Sequence, residues 1–281
     1  MKIVKKLLMT LFLLLIIGAV AASGWYLVRL LSVSAYEDKP WVAQANEPMN
    51  IMYKAVDTGL VVEFQKTLNL AAQHVETYFQ RPFAAPLEVH LMPDRAALDA
   101  HWRKAFGMPW FISTCWMVGT GAANDLSILS PRIWAEEDCG HDPTNEVEIF
   151  KLLVHELTHS YHDQANPSDD IGIYEDIGWF IEGLAVHVSN QLEGDQLASP
   201  AEAIIEGMHP KKLEAAWSGK YRYGISGSMV EYIETVWGKD VVRQLLEFTT
   251  EEDILSTLQV SEQAFIGGWK EYVLSNDNEH D

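Results

Sequence analysis

The sequence predicts an α+β fold, with a small strand-rich part first and a mainly helical part after it. Three observations point there. Pro86 to Met92 (PLEVHLM) alternates apolar and polar side chains; two more strand-like pieces follow at about Phe111 to Val118 and Leu126 to Leu129; and the pattern beyond Pro143 is almost wholly helical. With 281 residues, 48% of them hydrophobic, the chain is long and apolar enough to bury a sizeable core.

The elements follow in order. Lys2, Lys5 and Lys6 precede an uncharged run from Leu7 to Val28, which Arg29 ends. At ~1.5 Å per helical residue this run reaches roughly 33 Å, enough to cross a hydrocarbon core of ~30 Å. Residues 1–31 are therefore expected to form one N-terminal transmembrane helix. It would act as a signal anchor that attaches the chain to the cytoplasmic membrane and leaves the rest outside, periplasmic or extracellular. Ala19-Val20-Ala21 keeps a cleaved signal peptide, and hence secretion, open as the alternative. Residues 32–50 read as a polar, proline-punctuated linker, 51–275 as the folded domain and 276–281 as a polar tail. Export makes Cys115 and Cys139, the two cysteines of the chain, an expected disulfide; two free buried thiols are the other reading.

Within the domain, apolar residues recurring at helical spacing from Val56 to Tyr78 predict a helix that Arg81-Pro82 stops. Pro93-Asp94 caps a second one running to about Phe106. Asp142-Pro143 supplies an N-cap and a first-turn proline for a third, whose apolar face is Val147, Phe150, Val154, Leu157 and Tyr161. Further helices are expected over about Glu175 to Gln191 and Tyr223 to Trp237. Acidic residues outnumber basic ones 40 to 20, a formal charge of −20 that repels phosphate backbones, so nucleic acid is not an expected partner.

The chemistry concentrates in LLVHELTHSYH, Leu152 to His162. His155 and His159 are four residues apart, about 40° around a helix, so both imidazoles can reach one metal ion. Glu156 stands one step round from His155, close enough to act on a water without ligating the ion. A catalytic zinc takes three protein ligands and a water, so a third is required. His162 lies roughly 10 Å of axial rise from His155, too far to share an ion held at His159. Metzincins place a glycine and a further histidine after the motif, whereas His162 and Ala165 stand here. Glu182, an acid inside the apolar stretch WFIEGLAVH, is the better ligand, since a cation would offset the cost of burying its carboxylate. Gly178, Gly183 and Ala185 are expected to let its helix approach the first one closely. His187 is the weaker rival.

His155-Glu156-x-x-His159 followed by Trp179-Phe180-x-Glu182-Gly183-Leu184-Ala185 resembles the gluzincin metallopeptidases of the thermolysin and membrane-aminopeptidase kind, in the peptidase MA-like group. The likeness extends loosely from about Val56 to Val273. It implies a zincin-like domain holding one zinc ion through His155, His159 and Glu182, with Glu156 as catalytic base and a tyrosine of the late helix stabilising the oxyanion. Tyr223 is the candidate for that role and Tyr221 the second choice.

Two departures narrow the expectation. Aminopeptidases of this type carry Gly-x-Met-Glu-Asn where Gly121-Ala122-Ala123-Asn124-Asp125 stands here, so the glutamate that would hold a free amine is missing. Thermolysin-like enzymes have an aspartate four residues after the ligand glutamate, where Val186 stands, which leaves the partner of the histidines unidentified. Zinc-dependent endopeptidase action on a peptide or protein is the reading that results. An inactive gluzincin-like domain that binds envelope polypeptides or a partner protein is the alternative. Leu126 to Leu129 is either an edge strand that pairs with extended substrate or a plain core strand.

Overall fold

The computed structural model describes residues 21–137, 140–168, 175–192 and 197–277. A single five-stranded mixed sheet, in the order β1-β2-β3-β5-β4, supports the helices. The central strands β2 (Met49–Lys54), β3 (Leu87–Met92) and β5 (Asp125–Leu129) run parallel. β1 (Trp41–Gln44) and β4 (Gly119–Ala122) close the two edges antiparallel. The α+β class holds, but strands and helices interleave up to Leu129 where a strand-rich block was expected.

The sheet draws its layers from the predicted patterns. Leu87, Val89 and Leu91 of β3 point into the core, and Glu88 and His90 point away. α1 (Val61–Phe79) buries Val61, Phe64, Leu68, Ala71, Ala72, Val75 and Phe79, a stripe at the 3.6-residue period. It ends at Gln80 in the left-handed region, just before Arg81-Pro82. α2 (Arg95–Ala105) starts as expected, with the Asp94 carboxylate accepting from Ala97 N–H at 2.8 Å. After α3 (Pro131–Glu137) comes α4 (Glu146–Ala165), which packs along α1; Phe79 stacks on Tyr161 with ring centroids 4.3 Å apart. Next come α5 (Gly178–Val188), α6 (Pro200–Ile205) and α7 (Arg222–Trp237), followed by α8 (Lys239–Leu245), α9 (Glu251–Leu258) and α10 (Glu262–Asp277).

Several expectations are corrected. Among the described residues no helix is long and apolar enough to cross a membrane, which corrects the expected transmembrane helix for the part of it that is described, residues 21–31. Most of the run from Leu7 to Val28 lies outside the described residues. Its end, residues 21–30, is a short helix docked on the domain: Tyr26 donates to Trp110 O at 2.7 Å, and Arg29 pairs with the buried Asp99 at 3.1 Å. The polar linker is no free tether, because β1 and the start of β2 fall inside it. Residues 111–118 form no strand; β4 begins at Gly119 instead. Leu126 to Leu129 is internal, paired with β3 on one side and β4 on the other, so the edge belongs to Gly119–Ala122. α4 starts three residues later than expected: Asn145 caps it by accepting from Val147 and Glu148 N–H, while Asp142 closes a local turn with Thr144. Val147, placed on its apolar face from the pattern, is 63% exposed. Cys115 is exposed, and its expected disulfide partner Cys139 lies outside the described residues.

Close approach of helices is real but joins a different pair. Gly183 of α5 faces α7, where an added Cβ would stand 2.3 Å from the Ser226 carbonyl oxygen. Backbone cannot retreat as a side chain can, so Gly183→Ala should destabilise the protein by about 2–3 kcal/mol or more in urea unfolding. Gly59→Ala, with no atom within 4 Å of the new methyl, should change stability by no more than about 0.5 kcal/mol. Equal effects at the two positions would contradict this packing.

Candidate metal centre

The helical spacing does what geometry requires. His155 and His159 project from one face of α4, with their Nε2 atoms 3.2 Å apart. α5 lies across them and presents Glu182, whose Oε2 is 3.6 Å from His155 Nε2 and 3.7 Å from His159 Nε2. The three donor atoms form a triangle with sides of 3.2, 3.6 and 3.7 Å, whose circumscribed radius (the product of the sides over four times the area) is about 2.0 Å. Zinc bonds to imidazole nitrogen and carboxylate oxygen are ~2.0–2.2 Å, so one such ion fits among these atoms. No water-sized gap or larger cation is needed to account for the spacing.

Two residues that the sequence reading did not single out complete the arrangement. Gln191, just past the end of α5, accepts through Oε1 from His155 Nδ1–H at 2.9 Å. That bond fixes the tautomer and turns the lone pair of Nε2 toward Glu182 and His159, the role left open by Val186. Val186 itself is fully buried. Gly121, on the free side of β4, donates its N–H to Glu156 Oε2 at 3.0 Å. A Cβ at Gly121 would lie 1.9 Å from the Glu156 carbonyl oxygen, so glycine is what allows β4 to lie against α4. A glycine next to a strand and a glutamine one turn beyond the ligand helix were visible in the sequence, but their partners are 35 and 36 residues away.

The electrostatics follow from burial. His155 and Glu156 are 7% and 8% exposed. Burial raises the Glu156 carboxyl to about 7, where it exchanges protons readily near neutrality; His155 and the Gly121 N–H pull the other way. Burial also drives His159 down to about 4 against the attraction of Glu182, leaving a neutral imidazole with a lone pair to share. Burial alone would raise Glu182, but His159, His155 and Arg222 together hold it below the ordinary glutamate value, so it is an anion. Burial alone would lower His155, but Glu182, Glu156 and Gln191 outweigh it and hold this imidazole above the ordinary histidine value, so a zinc ion taken by this donor set would displace a proton from His155.

The remaining candidates separate clearly. Tyr223, in the first turn of α7, is pushed up to about 12 by burial and then by the charge of Glu182, with Glu156 adding to it; it keeps its proton and lies within reach of the charge of both carboxylates. Tyr221 is turned away, donating to Glu206 Oε2 at 2.7 Å, which removes the second choice for the oxyanion role. His162, too far along the helix to share the ion, is fully buried at a right angle to the ring of Phe180, and burial pushes it down to about 3. His187 pairs with Glu234 at 2.8 Å, which also accepts from Tyr78, and so is not a ligand. Arg222 was not foreseen. Its guanidinium lies 5.1 Å from the ring centroids of Trp217 and Tyr223 and 5.8 Å from that of Trp116, forming a cationic, aromatic wall beside Glu182. Trp116 is itself exposed.

No family model matches the chain, and no curated protein matches it.

Two measurements test these assignments. Replacing Gln191 by Leu should weaken the affinity for zinc about 10–100-fold in competition with a chelator, with the fold intact; unchanged affinity would remove Gln191 from the site. The second concerns Glu234, which burial alone would raise. Hydrogen bonds from His187 and Tyr78 and the charges of His187 and Lys239 outweigh burial and hold it at about 2, below its unfolded value of 4.5. Its contribution to stability is therefore present above pH 4.5 and lost as pH falls toward 2. The difference in melting temperature between wild type and Glu234→Gln should be largest near pH 6 and shrink through that window. A constant difference would show that this pair does not set the acid limb.

Proposed function

We propose that the protein is a zinc-dependent peptidase of the gluzincin type, acting as an endopeptidase on peptides or proteins. The observation that supports this most directly is the convergence of three donor atoms, His155 Nε2, His159 Nε2 and Glu182 Oε2, on one zinc-sized point, with the carboxylate of Glu156 held beside it by Gly121. A binding domain needs no such base, so the placement of Glu156 favours catalysis over the inactive reading.

His155, His159 and Glu182 would hold the ion. When bound, zinc supplies Lewis acidity that polarises a carbonyl and lowers the pKa of a coordinated water toward ~7. The protein's own groups do the rest. Glu156, held beside the donors by the Gly121 N–H, would take a proton from the attacking water and pass it to the departing amine. Tyr223, protonated at neutral pH, donates a hydrogen bond to the oxygen on which negative charge develops. β4 is an edge strand with one side unpaired, and an extended peptide can add to it through main-chain hydrogen bonds. That binding mode reads backbone rather than a terminal amine, in keeping with the missing aminopeptidase glutamate.

Cleavage of a mixed peptide library is the test. Glu156→Gln should retain zinc and lose at least about 10³-fold in kcat/KM, whereas His159→Ala should lose the ion. Tyr223→Phe should lower kcat by roughly 10²-fold while zinc content and KM change little. Product profiles identical for wild type and Glu156→Gln would leave peptide binding as the function.

A further inference from the structure

A second set of donors gathers on the other face of the sheet. Side chains of β3 and β5 alternate: Ile128 faces α4 beside Gly119, while Ser127, opposite His90, faces α2 and accepts from Trp102 Nε1–H at 2.8 Å. On that outer face, His90 of β3, His101 of α2 and Asp125 of β5 each offer one donor atom, all within 4.8 Å of one another. His90 Nδ1 is 3.0 Å from Asp125 Oδ2, and His101 Nε2 is 3.0 Å from Asp125 Oδ1. The far nitrogen of His90, Nε2, is 2.8 Å from Glu88 Oε1.

His90 thus has a carboxylate oxygen at each ring nitrogen. A neutral imidazole carries one N–H, so toward one of the two carboxylates it turns a lone pair at contact distance, which is repulsive unless a cation lies between. Either a second proton or a metal ion meets that need. The surroundings fit the ion. Glu88 on Nε2 reproduces the pairing in which a ligating histidine gives its other N–H to a carboxylate, fixing the tautomer and leaving Nδ1 free to ligate. At ~2.1 Å per bond, two donors of one ion lie at most ~4.2 Å apart, and both 3.0 Å separations fall within that reach. His101 comes from a different element and aims at the second oxygen of the same carboxylate.

We propose that His90, His101 and Asp125 form a second divalent-metal site, with Glu88 orienting His90. Two imidazoles and a carboxylate suit a borderline ion such as Zn2+. The site differs in kind from the first. Its three side chains are 15%, 24% and 38% exposed, so its ion exchanges with solvent, and Glu88, an acid in contact with the cluster, is spent on the far side of His90. Its role is to fasten α2 to the middle of the sheet, and thereby the loop from 107 to 118 that α2 holds through Asp99 and Arg95.

The full-length chain, stripped with a chelator and dialysed against Zn2+, provides the test. His101→Ala and Asp125→Asn, the second nearly isosteric, should each bind one ion fewer than wild type. His159→Ala should keep the ion that those two variants lose, so failure of the first centre and failure of this one are told apart. Zn2+ should raise the Tm of His159→Ala and leave that of the His101→Ala/His159→Ala double variant unchanged. Zinc content in both His101→Ala and Asp125→Asn equal to wild type would overturn the site. So would NMR showing His90 doubly protonated at neutral pH in the zinc-dialysed protein, which would assign the cation as a proton.

Discussion

Two carboxylates and two imidazoles packed side by side are first of all a physical problem. Glu156 and Glu182 lie with His155 and His159 where α4, α5 and β4 meet; His155 and Glu156 are buried there, while His159 and Glu182 keep 15% and 26% of their side-chain surface. The cost of an unpaired buried carboxylate is several kcal/mol. It is met on one side by the single N–H of Gly121 and on the other by donor atoms spaced to share one divalent cation. Everything else near the centre can be understood as holding those few atoms at that spacing.

Two contacts between main chains do most of the holding. Gly121 lets the edge strand lie directly on the first turns of the motif in α4, and Gly183 lets α5 rest on α7. α5 is thereby clamped between the helix that supplies the histidines and the one that supplies Tyr223. The pair of His187 with Glu234, joined by Tyr78, links α1, α5 and α7 on the side away from the donors. The ligand helix is thus fixed on both flanks, which is how a carboxylate on one element stays within 4 Å of nitrogens on another.

What could be read in the sequence was local. The four-residue spacing of His155 and His159 and the isolated acid Glu182 in an apolar helix state their chemistry within a few turns, and the structure brings all three together. The strand at β3 and the cap at Asp94 were legible for the same reason. What escaped depends on pairing over distance. β1 hid because it is four residues long, Trp41–Gln44, inside a polar, proline-containing stretch, and its pairing with β2 left no local periodicity to read. Leu126 to Leu129 gave no sign of being flanked on both sides, and the glycine-rich β4 scarcely resembles a strand in composition. Asn145 outcompeted Asp142 as the cap, since Asp142 found a nearer partner in Thr144. Gly183 was recognised as a point of close approach but assigned to the wrong neighbour; one sequence cannot say which of two helices a bare backbone will meet.

The glycines of β4 have a consequence for how this protein could diversify. At Gly121 the strand is pressed so closely on α4 that no side chain can be introduced toward the centre, and at Gly119 an added Cβ would stand 2.7 Å from Ile128. On the proposed function, β4 would therefore offer a bound peptide bare polypeptide, the same for every ligand. Discrimination would fall to the side chains around Arg222, which is stacked among Trp116, Trp217 and Tyr223. Lineages that acquire new preferences would be free to vary that aromatic wall while the glycine strand stays locked, so divergence should concentrate on one shore and spare the other.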